Sequence, residues 1–187
     1  MNDPRVNALR ARREMQPDAR ARSSEIICRR VIRTREFRCS RAIACYLPMG
    51  DEVDTLEIFD RSWRANKRIF APVLQRRRKM SFREIRPEST LERNSFGVWE
   101  PSTGAMIGPR DLDLVITPTV AFDDDNNRIG MGGGYFDRCF SFLRYRKHWL
   151  HPKLIGVAFA CQKIEKITPN VWDIRLYSVI TDANSGD

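Results

Sequence analysis

The sequence predicts a single three-layer α/β domain spanning residues 1–187, with a mostly parallel sheet and basic N-terminal helices. Three observations carry this. The strongest hydrophobic runs are short and largely apolar, at residues 42–47 (AIACYL), 69–74 (IFAPVL), 112–117 (LDLVIT) and 154–159 (LIGVAF), whereas a half-buried strand would alternate apolar with polar. Segments of helical periodicity fall between them, and alternation of this kind is the pattern of a sheet covered on both faces. At 187 residues and 42% hydrophobic, the chain can bury one substantial core and needs no second unit.

Taken in order, residues 5–15 and 17–35 read as two helices: Pro17 suits a first helical position, and Ala19, Ser23, Ile27 and Val31 recur at four-residue spacing. Residues 42–47 form a strand ended by Pro48, a polar turn covers 49–54, and Leu56, Phe59 and Trp63 then follow a helical period. Residues 69–74 and the more polar 80–85 are the next strands. The Pro- and Gly-punctuated stretch 87–109 reads as a long loop over a site. Residues 112–117 are a fourth strand, 135–146 a helix, and 154–159 and 178–181 the last strands. In sheets of this kind ligands gather at the carboxyl ends of the strands.

The formal charge is +9, and twelve arginines against five acids in residues 1–41 account for most of it. Such a segment suits a solvated helix face, a nucleic-acid arm or a surface that attracts an anionic substrate. No aromatic residue precedes Phe37, so the stacking platform of a single-strand binder is missing and no nucleic-acid partner is expected. No apolar run approaches the roughly 20 residues of a spanning helix, so no membrane is expected. The first residues carry charges where a secretory signal needs an apolar core, and recurring acids argue against a transit peptide. Five cysteines with no Cys-x-x-Cys pair suggest neither a disulfide framework nor a zinc ribbon. A reducing, cytoplasmic location follows as the expectation.

The most informative segment is residues 117–138, TPTVAFDDDNNRIGMGGGYFDR. Gly130, Gly132, Gly133 and Gly134 can bring backbone N–H groups close to phosphate oxygens just before a helix, with Arg128 flanking them and Asp137 in the first helical turn, within reach of a metal on those phosphates. A glycine-rich hairpin or helix cap reads the same glycines with equal ease. The nucleotide signatures fail: Tyr135 stands where a dinucleotide fingerprint counted from Gly130 needs glycine, and no Gly-Lys-Ser/Thr is present. A second cluster, YLPMGDEVDT at 46–55, sets Asp51, Glu52 and Asp54 in a turn. Asp54 and Thr55 suit capping of the following helix, and Glu52 projects from the loop. A third feature is Gln162 followed by Trp172-Asp173. His148 and His151 lack a third ligand or nucleophile partner and read as surface residues. No Ser-His-Asp order or nucleophile elbow is present, which leaves covalent hydrolysis without support.

Three segments in chain order, YLPMGDEVDT at 46–55, residues 117–138 with their PTVAFD and RIGMGGGYFDR portions, and the ending GVAFACQKIEKITPNVWDIRL, resemble the 5-formyltetrahydrofolate cyclo-ligase (methenyltetrahydrofolate synthetase) family over nearly the whole chain. The resemblance implies ATP-dependent conversion of 5-formyltetrahydrofolate to 5,10-methenyltetrahydrofolate with release of ADP and phosphate, Mg2+ as cofactor and a monomeric chain. Carried over by position, Arg128, Ile129, Gly130, Met131, Gly132, Gly133, Gly134, Tyr135 and Phe136 line the ATP site, with Arg5 or Arg10 reaching ATP from the first helix. Leu47 and Glu52 contact folate, together with Gly132, Gly133, Gly134 and Tyr135. Tyr135, between the two ligands, and Arg128 are implied to be catalytic, and Asp137 and Asp173 to hold magnesium. The chain departs from the family pattern at Gly133 (often Lys), Phe136 (often Tyr) and Tyr177 (Asp in some members), and an N-terminal Lys has no clear counterpart. A nucleic-acid binder using the arginines, and a sugar-phosphate isomerase or acyl-CoA transferase of similar layering, are the rival readings.

Overall fold

Prolines open the first two helices, where a missing N–H costs nothing: α1 is Pro4–Glu14, with the Asp3 carboxylate accepting from Arg5 N at 2.9 Å, and α2 is Pro17–Arg33. Thr34 caps the short α3, Arg35–Cys39, through its hydroxyl. The remaining elements are β1 (Ala42–Cys45), α4 (Leu56–Arg64), β2 (Arg68–Gln75), β3 (Lys79–Glu84), β4 (Leu91–Arg93), β5 (Trp99–Pro101), β6 (Met106–Ile107), β7 (Leu114–Pro118), β8 (Ala121–Phe122), β9 (Arg128–Ile129), α5 (Tyr135–Cys139), β10 (Lys153–Val157) and β11 (Ser178–Ile180). The structure, a computed structural model, describes residues 3–145 and 151–183.

Among the described residues the main sheet has the order β11-β10-β7-β1-β2-β3-β6. Its first five strands are parallel, and β3 and β6 continue it antiparallel. In the centre Ile43 stands opposite both Ile69 and Leu114. Ile43, Ile69, Ala71, Leu114, Ile116, Ile155 and Val157 pack on one face against Ile27, Val31, Ile58 and Phe59 of α2 and α4. Ala44, Phe70, Val115 and Leu154 pack on the other against Phe140, Ile174 and Leu176. Each parallel strand is thus apolar on both sides, and the expected three layers follow from burying both faces.

The chain passes from β1 to β2 on one side, while β7 pairs with β1 on the other. The carboxyl ends of β1 and β7 therefore flank a point where the order reverses, the place where an open α/β sheet leaves a crevice. The 46–55 turn leaves the end of β1, and the glycine segment follows β7 after the small hairpin β8–β9.

Three local expectations are corrected. The helix expected over 135–146 stops at Cys139 and continues as a 3-10 turn over Ser141–Tyr145. Phe140, Phe142 and Leu143 all join the same core, and a continuous α-helix would set residues 140 and 142 about 200° apart. The stretch 87–109 is not a plain loop: β4 and β5 pair as a hairpin and β6 adds to the sheet edge. At α4 the Asp54 carboxylate accepts from Leu56 N at 3.0 Å, but the Thr55 hydroxyl donates back to the Tyr46 carbonyl at 2.8 Å and does not cap. His151 is exposed, and His148 lies outside the described residues.

Candidate active site

The glycine segment is built on the β8–β9 hairpin, whose turn is organised by the buried Asp123. Its carboxylate accepts from Asp125 N, Asn127 N, Asn127 Nδ2 and Ile167 N at 2.9–3.1 Å. Burial works to raise this carboxyl, but Asn127 and the backbone donors hold it below the usual carboxylate range. Beyond β9 the chain enters the glycines, where Gly132 (φ +91°) and Gly134 (φ +66°) take backbone conformations that L side chains rarely adopt. Gly130–Gly134 are at least partly open to solvent, and Met131 is largely exposed. The loop is thus an open cradle of backbone. The helix after it is only five residues long, so a phosphate here would rely on loop N–H groups and cations more than on a helix dipole.

Arg5 of α1 reaches this cradle: its Nε donates to the Gly130 carbonyl at 3.0 Å, and its Nη1 lies 3.6 Å from where a Cβ on Gly132 would stand. Arg10 does not, since it lies exposed and pairs with Glu14 at 3.8 Å. Arg5 and Arg12 stand seven positions apart on one face of the helix, with Ala8 between them packed near Val120 and Ala121. This spacing was legible in the sequence, but nothing there chose Arg5 over Arg10.

Arg128 does not stand free beside the loop. Its side chain is 5% exposed and Nη2 donates to Asp137 Oδ1 at 2.7 Å. Its Cζ lies 5.6 Å from the centre of the Phe136 ring, and its buried Nε has no hydrogen-bond partner among the described residues. Burial pulls the guanidinium below its usual range, opposed by the charges of Asp137 and Asp173, which places both carboxylates in the field of one cation. Asp137 Oδ1 also accepts from Ile174 N at 3.2 Å, and Asp173 Oδ2 accepts from Asn170 N and Nδ2. Each aspartate keeps its other oxygen outside any hydrogen bond among the described residues. The two can therefore offer one oxygen each to a hard cation that takes its remaining ligands from phosphate and water, as Mg2+ does. No group of three or more His, Cys, Asp or Glu that could hold a metal ion occurs among the described residues.

At the end of β1, Leu47 is 7% exposed and belongs to the core, which leaves little of its side chain for a ligand. Glu52 does not project as expected. It folds back so that Oε2 accepts from Met49 N at 3.0 Å, and burial pushes its carboxyl above the usual range, with Met49 N–H and Arg12 opposing. Beside it Asp51 binds Arg12 Nη2 at 3.0 Å. Gln162 is a buried pin whose Nε2 donates to the Thr119 and Val120 carbonyls.

One residue escaped the sequence reading. Phe96, at the tip of the β4–β5 hairpin, is 62% exposed, and its ring meets Tyr135 edge-on at 6.3 Å. The hairpin therefore reaches the cradle and gives Tyr135 an aromatic neighbour, although the only sequence signal was an apolar residue among turn formers.

The chain is 32% identical to the 5-formyltetrahydrofolate cyclo-ligase of Escherichia coli over 176 residues, covering 91% of this chain and 93% of that protein. It is 32% identical to the Haemophilus influenzae 5-formyltetrahydrofolate cyclo-ligase over 151 residues, 78% of each chain. A solved Aquifex aeolicus 5,10-methenyltetrahydrofolate synthetase superposes with a TM-score of 0.82 at 29% identity, over 97% of this chain and 89% of that one. Residues 3–182 match the 5-formyltetrahydrofolate cyclo-ligase family as a whole, and with these relatives the chain belongs to that family.

Proposed function

We propose that the chain closes 5-formyltetrahydrofolate to 5,10-methenyltetrahydrofolate, with ATP converted to ADP and phosphate. The observation that carries this reading is the pairing, at one switch point, of an open glycine cradle reached by Arg5 with a second loop bearing a half-buried carboxylate, Glu52. The cradle and Arg5 suit phosphate, and Arg10 takes no part. Glu52 suits N–H donors of a heterocycle, because Met49 N–H occupies one carboxylate oxygen and the other can still accept.

The chemistry asks little of a general base. Electron density from N5 drives the formyl oxygen onto the γ-phosphorus, the bond to ADP breaks, and an imidate phosphate remains on the folate. N10 then attacks the formyl carbon, loses its proton, and the C–O bond breaks to release phosphate. What the reaction needs is alignment of formyl oxygen and γ-phosphate and dispersal of charge. Loop N–H groups and Arg5 supply positive potential, Tyr135 and Phe96 wall the space between the ligands, and Glu52 orients the folate. Arg128 acts as the buried cation that fixes Asp137. Asp137 and Asp173 are the residues that would hold Mg2+, which when bound spreads the charge of the transferred phosphoryl group. A monomer is part of the proposal, and the five free cysteines suit a reducing cytoplasm. Loss of folate binding in Glu52→Gln with ATP binding intact tests the assignment of the second loop, and the reverse pattern contradicts it.

A further inference from the structure

Arg12 is one of the few charged side chains of this protein to be almost wholly buried, at 6% exposure. It lies two turns beyond Arg5 on the same face of α1, and points under the 46–55 loop. Its Nη2 donates to Asp51 Oδ1 at 3.0 Å, while Arg13 Nε stands 3.8 Å from Asp51 Oδ2. Two buried atoms of this pair, Arg12 Nε and Asp51 Oδ2, have no hydrogen-bond partner among the described residues. A buried ion pair of this kind is a poor way to stabilise a fold, since well-packed apolar side chains of similar volume commonly do as well or better, and unsatisfied polar atoms add to its cost. Its placement gives it another use. Asp51 immediately precedes Glu52, and the charge of Arg12 also acts on Glu52 and on the phenol of Tyr46.

We infer that Arg12 is a positioning residue of the substrate site, acting through Asp51 to hold the loop that presents Glu52. This rests on the reading of Glu52 as the folate contact. The mechanism has two parts. The guanidinium fixes the Asp51 carboxylate from the helix side, so the following residue cannot swing away when Glu52 is desolvated. It also favours the ionised form of a carboxylate that burial disfavours. The charged and titratable groups around Glu52 are Arg12 from α1, Asp51 from its own loop and Tyr46 from the end of β1; Cys161 faces Arg12 from the segment after β10. Arg12 is the cation that acts on Glu52 itself; Arg13 also stands near Asp51 but is largely exposed, so it replaces Arg12 only in part when that residue is removed.

The test is equilibrium binding of 5-formyltetrahydrofolate and, separately, of a non-hydrolysable ATP analogue to the full chain and to Arg12→Gln, Arg12→Lys and Asp51→Asn, across a pH series. Folding is checked by circular dichroism. The expected result is folate binding weakened about tenfold or more in Arg12→Gln, the scale on which misplaced orienting groups act. The acid limb of folate binding should move to higher pH, because Glu52 then loses its proton less readily. Arg12→Lys should recover part of both, and binding of the ATP analogue should not change. If Arg12→Gln does not fold, the nearly isosteric Asp51→Asn carries the affinity readout. Folded variants that bind folate like the parent, or that lose the ATP analogue equally, overturn the inference. A parent chain that binds no folate contradicts the proposed function, and the inference with it.

Discussion

Glu52 is held in a fold that works against its charge. Because burial raises its folded-state pKa above the unfolded value, the stability linked to it is fully present below the usual carboxylate range and is lost as pH rises through the folded pKa. Glu52→Gln should therefore raise the melting temperature at pH 7, and the gain should vanish near pH 4, below the unfolded carboxyl value of about 4.3. Folate affinity should fall in the same variant. Thermal melts at the two pH values check the sign, and a variant less stable at pH 7 would show that the carboxylate is structural. Asp137 behaves differently from what its place in the sequence suggests. A first-turn aspartate is worth about 0.3–1 kcal/mol to a helix, but this one partners a buried arginine, so Asp137→Asn should cost about 3 kcal/mol or more in denaturant melts. Among the described residues Asp173 hydrogen-bonds only within its own turn. Asp173→Asn is the cleaner test of a metal role: it should lower turnover and shift its Mg2+ dependence for a stability cost of about 0.5–1.5 kcal/mol. Unchanged Mg2+ dependence would remove Asp173 from the site.

The element that carries the phosphate proposal is the loop from Gly130 to Gly134, and its conformation ranks its substitutions. Gly132 and Gly134 have positive φ, so an alanine at either should cost about 1–2 kcal/mol in backbone strain, and at Gly134 its Cβ would also lie 2.6 Å from Arg138 Nη1. Gly133 has no such φ, and a side chain there meets the Tyr135 ring at 2.9 Å. Calorimetric ATP titrations should find Gly132→Ala and Gly134→Ala weaker than Gly133→Lys, whose effect should appear in folate binding as Tyr135 shifts. Equal ATP affinities throughout would make the loop a turn and no more. The strands β1, β2, β7 and β10 were legible because each is apolar on both faces. The two-residue strands β8 and β9 were not, since pairing so short is set by the Asp123 turn and leaves no period to read. Nor did residues 135–146 betray their break, because no Pro or Gly marks it.

At the scale of the whole molecule, the sequence implied layers and parallel strands but not the order that places β7 beside β1. That order sets the glycine cradle and the Glu52 loop beyond the ends of neighbouring strands, and α1 meets both, with Arg5 at one loop and Arg12 at the other. The family motifs pointed to these two loops as candidates. They could not tell that Arg10 faces solvent, that Arg128 is spent on Asp137, or that Phe96 arrives from a hairpin, because each depends on tertiary placement. The central claim is that this crevice joins a formyl oxygen to a phosphoryl group. It is tested most directly by mixing the folded chain with 5-formyltetrahydrofolate and Mg-ATP and following the absorbance of methenyltetrahydrofolate. The account predicts a rise that requires both substrates and is matched by ADP formed; no methenyl product, or product formed equally without ATP, would contradict it.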